Sequence, residues 1–112
     1  MISKTKKNYI FGGFTRAKLE KNKSEIADPH AFVFSLNKKQ YFKTKDPKYS
    51  LHNNSHEGPI FGGSDYAFEI FNNILTNKNH YSNPNNTYGN NMKLVENQRF
   101  SISELEVFIV EF

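Results

Sequence analysis

A chain of 112 residues has room for one domain with a modest core, and none for a catalytic domain with a separate substrate domain. Its 11 Phe and 6 Tyr supply enough apolar bulk for a packed sheet protein, which excludes a wholly disordered chain. Cysteine is absent, so disulfides, thiolate nucleophiles and Cys-ligated zinc are excluded, and nothing ties the chain to an oxidising compartment. The net charge of +4 is split, with 12 Lys and Arg against 4 acids through Lys48 and 3 against 7 beyond it; halves of opposite sign attract each other in one folded unit.

The polar opening MISKTKKN has neither a signal-peptide pattern nor an apolar span. It reads as a disordered or linker N-terminus over residues 1–8, and the protein as cytoplasmic. Tyr9 to Phe14 is rich in bulky residues and glycine, as suits a strand. "AKLEKNKSEI" has the composition for one or two helical turns. In "HAFVFSL", Phe32, Phe34 and Leu36 share one face of a strand and Ala31, Val33 and Ser35 the other.

"QYFKTK" and "YSL" are shorter strands separated by a turn at Asp46-Pro47. "DYAFEIF" alternates Tyr66, Phe68 and Ile70 against Ala67, Glu69 and Phe71. The closing "SISELEVFIVEF" is the most regular segment, with Leu105, Val107 and Ile109 opposite Glu104, Glu106, Phe108 and Val110. Asn-rich loops separate these strands. The expected architecture is mainly β, an antiparallel sandwich in which strands from both ends of the chain pair.

Ile-Phe-Gly-Gly occurs twice, at Ile10–Gly13 and Ile60–Gly63. A phosphate loop needs glycines that open a helix, usually before Lys and Ser or Thr, and sheet-like sequence flanks both copies here. An internal repeat fails because nothing outside the four residues matches at that offset. The remaining reading is architectural. Gly12, Gly13, Gly62 and Gly63, with Gly58 and Gly89, mark bends or close approaches where a Cβ would clash.

Taken in order, "YIFGGFT", "DPHAFVFSL", "HEGPIFGGSDYAFEI", "TYGN" and "ISELEVFIVEF" resemble the TLDc domain as it appears in protist proteins. The resemblance runs from Tyr9 to Phe112. It covers the later part of the family's domain, without the usual upstream helices and strands, so residues 9–112 are expected to be a C-terminal portion. Family members commonly carry Trp where this chain has Leu19 and Phe108; both keep an apolar side chain. A sandwich lacking its first strands exposes edges and faces. The missing cover is either the remainder of the domain or a second chain at the open edge.

The resemblance implies a β-sandwich with short flanking helices and a non-enzymatic role in protein binding. It points to regulation of the vacuolar proton-pumping ATPase and to oxidation resistance. No cofactor, metal or membrane insertion goes with it. With no Cys and two Met, the chain has few groups for direct antioxidant chemistry. Two other classes stay open: a hydrolytic or redox enzyme whose active-site residues lie partly upstream, and a basic nucleic-acid-binding domain. The scattered lysines, not interleaved with stacking aromatics, count against the latter.

Three groups are candidate sites. His52 and His56 have the spacing of helical metal ligands, but an Asn-Asn-Ser loop ending in Gly-Pro makes them solvent-exposed loop residues. Glu104 and Glu106 share a strand face about 7 Å apart, suited to paired-carboxylate chemistry, to a polar outer face or to a hydrogen-bond anchor. They match acidic positions of the family's closing strand and are the foremost candidates for interaction. Asp65, after Gly-Gly-Ser, is placed to cap a turn.

Overall fold

The computed structural model describes residues 1–18, 24–53, 57–62, 66–84 and 86–111, with backbone alone for 57–59. Eleven strands follow in order: β1 Ile2–Thr5, β2 Ile10–Phe14, β3 Glu25–Ile26, β4 Phe32–Ser35, β5 Gln40–Lys43, β6 Leu51–His52, β7 Glu57–Phe61, β8 Phe68–Phe71, β9 His80–Ser82, β10 Arg99–Phe100 and β11 Ile102–Glu106. They form a five-stranded sheet, β11-β1-β2-β4-β5, and a six-stranded sheet, β10-β9-β8-β7-β6-β3. Every pairing is antiparallel. Both chain ends meet in the first sheet, where β1 lies between β11 and β2.

Helix is nearly absent. Among the described residues it is limited to a 3-10 turn, Pro47–Tyr49, at the expected Asp-Pro break. Of the segment expected to form helical turns, residues 17–26, the half at 19–23 lies outside the described residues, and its end, Glu25–Ile26, is strand. No described helix is long and apolar enough to cross a membrane.

The N-terminus departs from the expected linker. Ile2–Thr5 is a strand with ladders on both sides, and its inward residues are Ser3 and Thr5, both buried. The Thr5 hydroxyl accepts the Tyr9 amide at 3.1 Å, and the Thr5 amide donates to the Tyr9 carbonyl at 2.9 Å. Asn8, at φ +69°, closes the hairpin in the left-handed region that Asn tolerates.

In β4 the faces are reversed from a simple apolar reading. Val33 and Ser35 point inward, opposite Gly13 and Phe11 of β2. Phe32 and Phe34 point outward, because the interior opposite β2 is already filled by Phe11, Phe61, Phe68 and Tyr88. The core between the sheets is completed by Ile70, Met92, Leu94 and Ile102.

The closing strand is shorter than its sequence suggests. The register between β1 and β11 shifts between Lys4 and Thr5, so Thr5 faces Ile102 while Lys4 faces Glu104. Ser103 is the extra residue, its hydroxyl donating to the Lys4 carbonyl at 3.1 Å. This bulge lets Ile102 point inward although strict alternation would place it with Glu104. The ladder ends at Ile2 opposite Glu106. Val107 to Val110 continue outside any strand, all exposed.

Candidate functional site

The two Ile-Phe-Gly-Gly segments meet across the sandwich. Phe11 and Gly13 share the inward face of β2, and a Cβ on Gly13 would lie 2.6 Å from the Phe61 ring. On the outer face a Cβ on Gly12 would collide with the Met1 carbonyl and lie 2.6 Å from the Phe34 ring. Gly62 has φ +99°, and its amide donates to the Ser50 carbonyl at 2.9 Å. Gly89 has φ +130°, in the turn that brings Tyr88 under Phe61. Gly58 lies in β7 within the register shift between Glu57 and Ile60. Gly63, Asp65 and His56 lie outside the described residues.

His52 is not an exposed loop residue. It sits half-buried in β6, opposite Glu25 and Ile60 in the two ladders, with its ring 5.9 Å from Tyr66. Among the described residues no group of three or more His, Asp or Glu side chains is arranged to hold a metal ion.

Three buried polar residues organise the interior; Asp28 and Tyr88 stand in the "DPHAFVFSL" and "TYGN" segments, but local patterning assigns none of the three a role. Burial alone would raise the Asp28 carboxyl, but hydrogen bonds outweigh it and hold it below its ordinary range. These come from the Thr15 hydroxyl at 2.6 Å, the Arg16 amide at 2.8 Å and the His30 amide at 2.9 Å. Tyr88 is buried, and its hydroxyl donates to the Ser50 carbonyl at 2.6 Å; desolvation pushes its phenol far above the usual value. The Ser50 hydroxyl stands 2.8 Å from the carbonyls of Asp28 and Pro47.

His80 is fully buried in β9. Its Nδ1 accepts the Phe71 amide at 3.1 Å, which leaves the proton on Nε2 to donate to the Ile74 carbonyl at 2.8 Å. Desolvation lowers its pKa. Both ring nitrogens are thus committed to holding the Asn-rich loop 72–79, and neither is free for proton transfer.

The exposed features lie on the five-stranded sheet. Glu104 and Glu106 are exposed on β11, an edge strand, with Lys4 directly opposite Glu104 and Ile2 opposite Glu106. Cross-strand opposition of unlike charges is a mildly stabilising arrangement. The outer face carries Phe14 stacked on Phe32 at 5.1 Å, Tyr41 edge-on to Phe32 at 5.9 Å, and Phe34. Beyond Glu106, Ile109 is 94% exposed and Val107 68%. The acidic strand and its apolar continuation thus stand at one edge of the sheet, and the aromatic rings on its outer face toward β4 and β5.

No curated protein matches the chain. The TLDc domain family does match, over residues 1–111, starting ahead of Tyr9 and taking in β1. A match of that extent, carried by a sandwich whose first strand is the β1 that composition had concealed, shows that the chain belongs to the TLDc domain family.

Proposed function

We propose that this TLDc-type chain works by binding protein and not by catalysis, and that its partner is the vacuolar proton-pumping ATPase, met from the cytoplasmic side. The observation that carries the reading is the β11 edge, where Glu104 and Glu106 adjoin the exposed Val107–Val110 segment. An edge strand can extend a partner's sheet through its free backbone groups while alternate side chains give specificity. The interior polar residues give no competing catalytic reading, since Asp28, Tyr88 and His80 are each tied into the fold.

The link to oxidative-stress resistance follows from the same reading. A chain with no Cys and only two Met supplies few redox groups of its own, so protection would come through the state of the pump.

Co-sedimentation with pump-containing vacuolar membranes tests the proposal. The chain should pellet with them and stay in solution with membranes stripped of the pump. Glu104→Ala with Glu106→Ala should abolish pelleting while leaving the unfolding midpoint within about 0.5 kcal/mol of the parent. If the parent chain remains in the supernatant, the reading fails. If the double variant is instead markedly destabilised, the two acids serve the fold and not the interface.

A further inference from the structure

We infer that a cavity at one end of the sandwich is a second binding site, for an acidic segment of a partner protein that inserts one apolar side chain. The inference deepens the protein-binding reading and rests on it. The cavity, of about 220 Å³, forms where the β1–β2 hairpin turn of the five-stranded sheet meets β10 of the six-stranded sheet and Ser101, which links β10 to β11. Its wall includes Lys6, Lys7, Lys78 and Arg99, and its apolar part is Val95 and Phe100.

The charge is unbalanced and available. Among the described residues Lys6, Lys7 and Lys78 have no ion-pair partner. Arg99 is held in place, with one guanidinium nitrogen 2.9 Å from the Asn79 carbonyl and the group 4.6 Å above the Tyr81 ring; its other N–H groups are left to meet a carboxylate. The one acid in the lining, Glu96, accepts the Tyr9 hydroxyl at 2.7 Å. That bond fixes Tyr9 as a wall and turns Glu96 toward it.

Beneath the cations the floor is rigid. The Phe100 ring packs edge-on against Phe11 of the core at 5.4 Å, and Val95 is buried. A preformed floor lowers the ordering cost of binding.

Size and charge together select the ligand. Pockets for small molecules and cofactors are typically about 300–1,000 Å³, and a cavity near 220 Å³ suits one side chain of a longer ligand. Nucleic acid would need rings open for stacking, whereas Tyr9 is bound to Glu96 and Phe100 packs on the core. Inorganic phosphate would meet the lysines but leave the apolar floor of Val95 and Phe100 uncovered. A peptide carrying acids on both sides of an apolar residue satisfies the lysines and the floor together.

The test uses the 112-residue chain and the peptide Glu-Asp-Leu-Glu-Asp, followed by amide chemical shifts. Shifts should concentrate at Lys6–Tyr9 and Val95–Ser101. Changing Lys6, Lys7 and Lys78 together to Ser should weaken binding about tenfold, with an otherwise unchanged spectrum. Changing Lys38, Lys43 and Lys93 to Ser alters net charge equally and should have little effect. Replacing Leu by Gly in the peptide should also weaken binding, and added salt should do so for both peptides.

Several outcomes overturn the inference: shifts that map elsewhere, equal binding of Gln-Asn-Leu-Gln-Asn, tighter binding of inorganic phosphate or an oligonucleotide at the same residues, or self-association abolished by the same three substitutions. Pump co-sedimentation keeps the two proposals separable. If the Lys6, Lys7, Lys78 variant still pellets and the peptide does not bind, the cavity assignment falls and the protein-binding reading stands. If the parent fails to pellet while the peptide binds as described, the pump is the wrong partner and the cavity remains a site.

Discussion

The Phe61 ring occupies the place a side chain on Gly13 would need, 2.6 Å from the position of its Cβ. Phe61 also stacks on Phe68 at 4.8 Å, and Phe68 meets Phe11 at 5.4 Å. The two short matching segments therefore build one inter-sheet contact: the glycine of the first makes room for the aromatic ring of the second.

This contact predicts coupling. Gly13→Ala should destabilise the chain by about 1–3 kcal/mol through overpacking. Phe61→Leu should cost about 1 kcal/mol or more through lost burial. Made together they should cost less than their sum, because the smaller side chain vacates the space the new methyl needs. Denaturant titration of the four proteins decides it, and strict additivity would show that the two residues do not compete for space.

Gly62 acts through its backbone. At φ +99° a β-branched side chain is strained whatever the space around it, and displacement would also disturb the amide bond to Ser50. Gly62→Val should cost about 2 kcal/mol or more. An unchanged melting temperature would refute this.

Stability should fall in acid, with stages from His80 and Asp28 whose signs follow from their depressed pKa values. His80 lies below its ordinary value of 6.5 when folded, so between those values the unfolded chain binds the extra proton. Its contribution is complete above about pH 6.5 and declines as pH falls toward the folded value. Asp28 lies below 3.8 when folded. Its contribution is present above that value and is lost as pH falls through the folded pKa. Unfolding free energy measured from pH 7.5 to 3 should decline first in the His80 window, and His80→Gln, although less stable throughout, should lack that first decline. A profile parallel to that of the parent would show that His80 is not held neutral by the fold.

Much of the architecture was legible because its cause is local. Apolar alternation in "FVFS" and "FEIF" and the Asp46-Pro47 break correspond to β4, β8 and the turn before β6. What escaped depended on tertiary partners. β1 looked like a solvated end because its buried face is Ser3 and Thr5, and only pairing with β2 and β11 makes those positions interior. Alternation cannot reveal the Ser103 bulge, which turns Ile102 inward away from the face of Glu104. His80 sits among asparagines with no periodic signal, and its role comes from the Phe71 amide and the Ile74 carbonyl. The glutamates of β11 were readable as an outer face; the cation-lined cavity was not, since it gathers three stretches far apart in sequence.

Ser3 offers a test of β1 as part of the core. Its hydroxyl is buried with no hydrogen-bond partner among the described residues, and a buried unsatisfied polar group costs about 1–3 kcal/mol. Ser3→Ala should therefore leave stability unchanged or raise it, by up to about 1 kcal/mol. A frayed N-terminus would be indifferent to Ser3→Asp, whereas a core strand should lose several kcal/mol from burying that charge.

The outer face of the five-stranded sheet supports a final prediction. Phe11 and Phe68 are fully enclosed between the sheets. Phe14, Phe32, Phe34 and Tyr41 instead form the outer surface, with Tyr41 62% exposed, and the segment after β11 exposes Val107, Phe108, Ile109 and Val110. Exposed apolar surface of this kind marks an interaction site or a route to association. We propose that the remainder of the domain or a second chain covers it. The 112-residue protein should then bind an anilinonaphthalene dye while unfolding cooperatively, and should self-associate as concentration rises. Tyr41→Lys with Phe108→Lys should reduce both effects without lowering the unfolding midpoint, because neither side chain is buried. A chain lengthened upstream should bind less dye if the preceding residues supply the cover. A monomeric, dye-silent parent would mean that the aromatic surface needs no cover, and both the proposed partner and the upstream segment would lose their support.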